Sequence, residues 1–301
     1  MAINLDGSRL TSYVEEHKLP LMRKAVLDAR SSKEMNLMTG VKGTTALNLL
    51  NTEVTFGDGS ACGWNEAGKS TLSQRNLVPG AIKVNMSFCD KQLLKSWANY
   101  EVRVAAGQKI LPFEEDFIAG VIEGVNAKLE KTIWQGSTPT DAFDGLVKTI
   151  EAASAPSYDY QPSASVNSIV SGVYALIPSA AFDKGDVVMF MGKDMYRKYI
   201  QELIANGNLV ITNAVNDVAM PESVLIPGTD VRVIPVGGLD GTHKIFASYR
   251  ENFVYGTDMA GDEEKFEFWY SQDNREFRLA IEFTAGVQVA YPDLIVEGKQ
   301  A

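Results

Sequence analysis

Gly63-Trp64-Asn65-Glu66-Ala67-Gly68-Lys69-Ser70 fits the pattern G-x-x-x-x-G-K-[ST], whose backbone amides and lysine cradle phosphates in nucleotide-dependent enzymes. That chemistry needs a buried apolar strand leading into the loop and a helix N-terminus to receive the anion. The residues before it, Gly57-Asp58-Gly59-Ser60-Ala61-Cys62, are not apolar, and Pro79-Gly80 arrives too soon after it for a full helix. The segment reads instead as the glycine-rich tip of a hairpin. A P-loop nucleotide-binding enzyme using Gly63 to Ser70 stands as a remote alternative.

Three acidic runs, Glu15-Glu16, Glu114-Glu115-Asp116 and Asp262-Glu263-Glu264, raise metal or acid/base chemistry. Adjacent residues on a helix point in different directions, so such runs do not present paired carboxylates. Glu114 to Asp116 suit the positive end of a helix dipole, and Asp262 to Glu264 lie in a glycine-bounded loop that water can solvate. Cys62, Cys89, His17 and His243 are the whole supply of thiols and imidazoles, without CxxC spacing, and no G-x-S-x-G elbow occurs. No catalytic residue, no cofactor and no metal site is expected. The glycosylation triplet Asn85-Met86-Ser87 falls on an expected strand and is read as idle.

The elements around these residues belong to a soluble globular chain: 301 residues, 45% hydrophobic and 22% charged. Lys plus Arg number 28 against 38 for Asp plus Glu, a net charge of -10, which excludes a surface shaped throughout to grip phosphates. Two cysteines fit a reducing compartment, no window is apolar for eighteen residues, and the start Met1-Ala-Ile-Asn-Leu-Asp has no export signal. No membrane contact is expected.

Residues 1–50 stand apart. Arg9, Lys18, Arg23, Lys24, Arg30, Lys33 and Lys42 oppose Asp6, Glu15, Glu16, Asp28 and Glu34, a charge of +2 that leaves -12 for the rest. The segment reads as an extended arm with one short helix near Leu21 to Ala29, packing on something outside itself. Residues 51–89 read as a long two-stranded hairpin, with strands at Glu53 to Phe56 and Ile82 to Phe88 and a loose tip at Ser60 to Gly80. A lone hairpin is marginal in water, so a neighbouring surface must hold one this long.

Pro112 opens the strongest helix, with acids in its first turn, Lys128 and Lys131 near its end and Gly136 beyond it. Phe113, Phe117, Val121, Val125, Leu129 and Ile133, beside Ile118 and Ile122, give it one apolar face. Gly120 and Gly124 form a GxxxG pair that predicts close packing of a neighbouring element. Further on, helices are predicted at 141–152 and 165–176 and a buried strand at 186–191. A helix capped by Asp194 and ended by Asn206-Gly207 follows, then short strands at 209–211 and 231–234. Phe266, Phe268 and Tyr270, then Phe277, Leu279, Ile281 and Phe283, alternate with polar residues around Ser271 to Asn274 and predict an antiparallel hairpin.

Cys89-Asp-Lys-Gln-Leu-Leu-Lys, Leu111-Pro-Phe-Glu-Glu115, Leu129-Glu-Lys-Thr-Ile-Trp-Gln-Gly136 and Phe143-Asp-Gly-Leu146 resemble major capsid proteins of tailed bacteriophages, closest to phages of Bacteroidetes-type hosts. Glu264 to Tyr270 and Phe283 to Val296 look like that family's closing strands. The resemblance spans about residues 50–296 and implies an α+β, HK-ninety-seven-like capsid fold. Its implied parts are an N-terminal arm (1–50), an E-loop hairpin (51–89), a peripheral domain (90–136 and 243–290) with spine helix 112–136, and an axial domain (137–242 and 291–301).

The implied function is a non-enzymatic shell subunit, self-assembling into hexamers and pentamers of an icosahedral head. Partners would be further copies of itself, portal, scaffolding and decoration proteins, and packaged double-stranded DNA held by weak non-specific contact. It would be assembled in the host cytoplasm and lodged in the virion. Because the arm begins at Met1, scaffolding is expected as a separate protein or as a segment already removed. Trp64, Lys69 and Arg75 on the hairpin tip and Arg23 and Lys24 on the arm are the expected assembly contacts; Lys69 is also placed for the lysine cross-link that some relatives form. An encapsulin-type nanocompartment shell is the alternative within the same fold.

Overall fold

The computed structural model describes residues 7–56, 68–89, 113–207, 222–258 and 266–301, with scattered positions between 91 and 102. The long helix α4 (Phe113–Gln135) is its axis, about 35 Å from end to end. Ile118, Val121, Ile122, Val125, Leu129 and Ile133 are all buried, as their spacing predicts, in a core shared with a mixed five-stranded sheet. That sheet joins β1 (Asn36–Thr39), β10 (Phe253–Thr257), β12 (Glu276–Val289) and β11 (Phe266–Ser271) in this order, with β4 (Gly80–Cys89) also on β12. The predicted β11–β12 hairpin forms in the register Phe268↔Leu279. Its aromatic residues meet the helix, Phe117 packing edge-on against Phe268 with ring centroids 6.5 Å apart.

A second sheet of six strands runs β5 (Ser157–Tyr160), β13 (Val296–Gln300), β9 (Ile245–Tyr249), β6 (Val187–Gly192), β8 (Arg232–Val236), β7 (Val224–Leu225). Every residue of β6 is buried because both of its faces are covered. Val188 and Phe190 face the core of α4, while Val187, Met189 and Met191 face helices α6 (Val166–Leu176) and α8 (Lys193–Ala205). Residues 245–249, expected in the peripheral part, thus run inside this second sheet, and the chain passes to the first sheet only at Phe253. The expected strand at 209–211 lies outside the described residues.

Residues 7–35 are not an extended arm. They form α1 (Gly7–Glu16), α2 (Lys18–Leu27) and α3 (Arg30–Lys33), and Leu10, Val14, Leu21, Ala25, Val26 and Met35 are buried in the core of α4. α1 and α2 carry the i, i+4 apolar pairs Leu10/Val14 and Leu21/Ala25, and each helix is only ten residues long. Polar contacts fasten the segment. The Asn126 side chain donates to the Lys24 carbonyl at 3.1 Å, the Tyr255 hydroxyl to the Val26 carbonyl at 3.2 Å, and Arg250 to the Lys33 carbonyl at 2.6 Å.

Two helix starts differ from expectation because side chains tie up the chain ahead of them. The helix expected from Asp141 begins at Leu146 (α5, Leu146–Ala152), since Asp141 and Asp144 fold residues 137–145 into turns. Asp144 accepts from the Thr138 amide at 2.8 Å and from Lys148 at 2.7 Å. Asp194 is not the cap of α8: Gly192 holds that position, and Asp194 accepts from the Gly241 amide at 3.4 Å. The Lys148 ammonium and the Thr138 amide draw the Asp144 carboxyl down to about 2. A depressed carboxylate stabilises the fold above its ordinary pKa and loses that contribution as pH falls through about 2. The side chain is 41% exposed, so water screens most of the effect. Asp144→Asn is expected to lower the melting temperature by about 2 °C or less at pH 7. The difference from the unmodified chain should close as the buffer is taken from pH 4 toward pH 2.

Candidate assembly surface

β2 (Thr45–Val54) and β3 (Gly68–Leu77) form a two-stranded ribbon, ten residue pairs long, in the register Thr45↔Leu77 to Val54↔Gly68. The hairpin is therefore built from 45–54 and 68–77, and the expected return strand 82–88 belongs elsewhere. Val78-Pro79-Gly80 turns the chain out of the ribbon into β4, where it pairs with β12. Gly80 is required there, because a Cβ on it would stand 1.9 Å from the Ala142 carbonyl oxygen. The alternation in Ile82 to Phe88 is real, but its half-buried members Ile82, Val84 and Phe88 face α4. β3 falls in the expected tip because both of its faces meet water, and a strand without a buried face has no alternation to detect.

The ribbon is rooted by Leu77, fully buried against Val41 and Val254, and by Gln288, which donates to the Asn76 carbonyl at 2.7 Å. Beyond this root its strands leave the body, with β12 their main neighbour. Leu50 and Leu72, directly opposite one another, are 60% and 73% exposed, and Val54 and Phe56 are 68% and 96% exposed. These four residues escape a reading of the sequence, because leucine, valine and phenylalanine in a strand pattern ordinarily mean a core. The hint was the polar partner strand Lys69 to Asn76, too hydrophilic to enclose them.

Of the expected contacts, Trp64 lies outside the described residues. Lys69 is exposed near the outer end of β3, in register with Glu53. Arg75 is at the root and not at the tip. Its guanidinium donates to Gln288 at 3.2 Å and is half-buried, and burial pulls its pKa down against the pull of Asp293 upward. Arg23 and Lys24 are exposed on α2, the helix packed on the chain's own spine. The structure thus divides the described ones between the ribbon and α2. Gly68, Lys69 and Ser70 lie within β3, so no helix N-terminus receives an anion at the GxxxxGKS pattern.

The exposed face of α4 carries a second feature. Among the described residues Gly120 and Gly124 pack against no neighbour: a Cβ on either would meet nothing within 4 Å. With Val125 they line a groove of about 890 Å³ whose other wall is Ile82, Val84 and Met86 of β4. The close packing predicted from the GxxxG pair is therefore not made within the described residues. Nor is any described helix long and apolar enough to cross a membrane.

A spine helix lying on one sheet, a second mixed sheet beyond it and a projecting ribbon together define a viral shell fold of the HK-ninety-seven-like, α+β kind. The chain is similar to a solved chain of the satellite phage P4 procapsid, which includes the size determination protein Sid, at TM-score 0.62 and 11% identity over 99% of both chains. A Microbacterium phage Oxtober96 structure matches at TM-score 0.57 and 14% identity over 91% of each chain. The virus-like particle of Pyrococcus furiosus matches at TM-score 0.54 and 10% identity, covering 95% of this chain and 99% of that one. No protein-family model matches the chain, and no curated protein does. At these identities the likeness establishes the fold.

Proposed function

We propose that this chain is the major capsid protein of a tailed double-stranded DNA phage, assembling into hexamers and pentamers of an icosahedral head. The observation that carries the reading is the ribbon: ten residue pairs with exposed leucines, standing off a body of capsid fold. Such an appendage gains stability only against another surface, and many weak contacts repeated by symmetry close a shell without any catalytic group. The body is negative overall, which suits a wall that does not hold packaged DNA tightly. Copies of the chain are the principal partner; portal, scaffolding and decoration proteins complete the head, and the protein resides in the virion.

Purified protein viewed by negative-stain electron microscopy is expected to show closed shells, capsomers or tubes. Discrete small oligomers at every concentration would sink the proposal. The encapsulin-type shell is the second reading, favoured by the fit over nearly all of the Pyrococcus furiosus chain. Particles recovered with packaged double-stranded DNA support the phage head, and particles recovered with an enzyme cargo support the compartment.

A further inference from the structure

We infer that the outward face of β11, β12 and β4 is a binding platform for a neutral pyranose polysaccharide, with the indole of Trp269 as its stacking surface. Strand register sets the face. Glu267 and Trp269 are exposed while Phe266 and Phe268 beside them are buried, and Trp269 is level with Arg278 of β12, itself level with Ser87 of β4. In the next row Glu267, Ala280 and Asn85 lie in line. The platform belongs to the folded subunit, whether or not the chain builds a shell.

Of the two described tryptophans, Trp134 is fully buried and Trp269 is 39% exposed. An indole is a large, rigid apolar plate with one polar edge. A pyranose ring matches it, because its axial C–H groups form an apolar face and its hydroxyls point outward from the rim. Next to the indole the sheet dips at the small side chain of Ala280. Across that hollow Asn85 and Ser87 are exposed and make no side-chain hydrogen bond to a described residue. A carboxamide and a hydroxyl each donate and accept, which neighbouring sugar hydroxyls also do.

Charge argues against other partners. Arg278 donates to Glu276 at 2.9 Å, and Lys83 lies 3.1 Å from Glu282, so these four groups of the face are already paired. With Glu267 the face carries three acids against two bases, a charge of -1 that does not attract the phosphates of nucleic acid. A protein lying flat on it would have to strip the water from both ion pairs, a cost that such pairs seldom return. Sugar hydroxyls take the place of that water and leave the pairs intact.

Size points the same way. Three strands wide and as long as Lys83 to Ser87, the field measures about 14 Å by 17 Å, about 240 Å². A stable protein contact takes about 800 Å² from each partner, whereas a short run of sugar rings covers this field completely. A contact so small binds weakly, with a Kd of about 1 mM. A polymer that reaches many copies on one particle gains about 10²–10⁴ over that single-site affinity.

The test passes the whole protein over immobilised mixed-linkage β-glucan, starch, galactan and mannan, with dextran sulfate as the anionic contrast, and reads binding by surface plasmon resonance. Binding to at least one of the four neutral polymers is expected. W269A is expected to lose about tenfold or more in affinity and to melt close to the unmodified chain, because the ring is exposed. A280R keeps the indole, covers the hollow beside it and is expected to lose binding as well. No binding to any of the four neutral polymers, or binding that persists in W269A, would overturn the platform. Binding confined to dextran sulfate would overturn it too, since simple charge attraction accounts for that. Closed shells from the unmodified chain but none from W269A would assign the face to a neighbouring copy instead. Absence of shells from the unmodified chain, with sugar binding intact, would remove the shell function and uphold the platform.

Discussion

With Leu50 and Leu72 both replaced by aspartate, the subunit should melt close to the unmodified chain and yet form no closed particle. In the isolated subunit the two leucines are 60% and 73% exposed, so folding loses little more than one cross-strand pair, about 1 kcal/mol. Assembly loses far more. Burying one leucine side chain is worth about 1.5–3 kcal/mol, and two carboxylates in its place must also shed water. Each contact is weakened by at least about 3 kcal/mol, a factor above 100, repeated around every capsomer. Thermal melting gives the first half of the result, and sedimentation with electron microscopy gives the second. Regular shells from the double variant would show that the ribbon is not the contact. Deleting residues 63–80 is a poorer test, because it removes Leu77, which is fully buried at the ribbon's root.

The largest effect on folding is expected at Trp134. Its ring is fully buried at the end of α4, stacked on Phe246 at 5.6 Å and packed against Phe190 and Phe253. The indole N–H donates to the Ser31 hydroxyl at 2.6 Å, and that hydroxyl donates to Glu130 at 2.6 Å. One side chain thus joins the N-terminal segment, the spine and both sheets. Trp134→Ala should cost about 3–5 kcal/mol in cavity and lost contacts, lowering the melting temperature by about 10 °C. Trp134→Phe keeps most of the packing and gives up the hydrogen bond to Ser31, so its loss should be well under half of that. A melting temperature unchanged in Trp134→Ala would show that these units are not joined there.

The correction at the N-terminus has the same origin as this prediction. A segment expected to find its partner on another copy finds it on its own spine, through Leu10, Val14, Leu21, Ala25 and Val26. Arg23 and Lys24, expected as assembly contacts, are exposed on α2, a helix that lies against the chain's own spine.

Elements with one buried face were legible in the residues themselves. The spine and the β11–β12 hairpin carry the period that solvent on one side and core on the other impose, and β6, covered on both faces, carries an unbroken apolar run. The absence of a helix behind Lys69 followed in the same local way from Pro79-Gly80. Three other matters were decided only by the tertiary structure: which strand pairs with which, the back-folding of α1 to α3, and the exposure of Leu50, Leu72, Gly120 and Gly124. Strand pairing depends on contacts far apart in the chain, such as Gly80 with Ala285, and helices as short as α1 and α2 take their stability from the surface they cover. An apolar residue looks the same in a sequence whether it fills a core or waits for a neighbour, and only its surroundings in space tell the two apart.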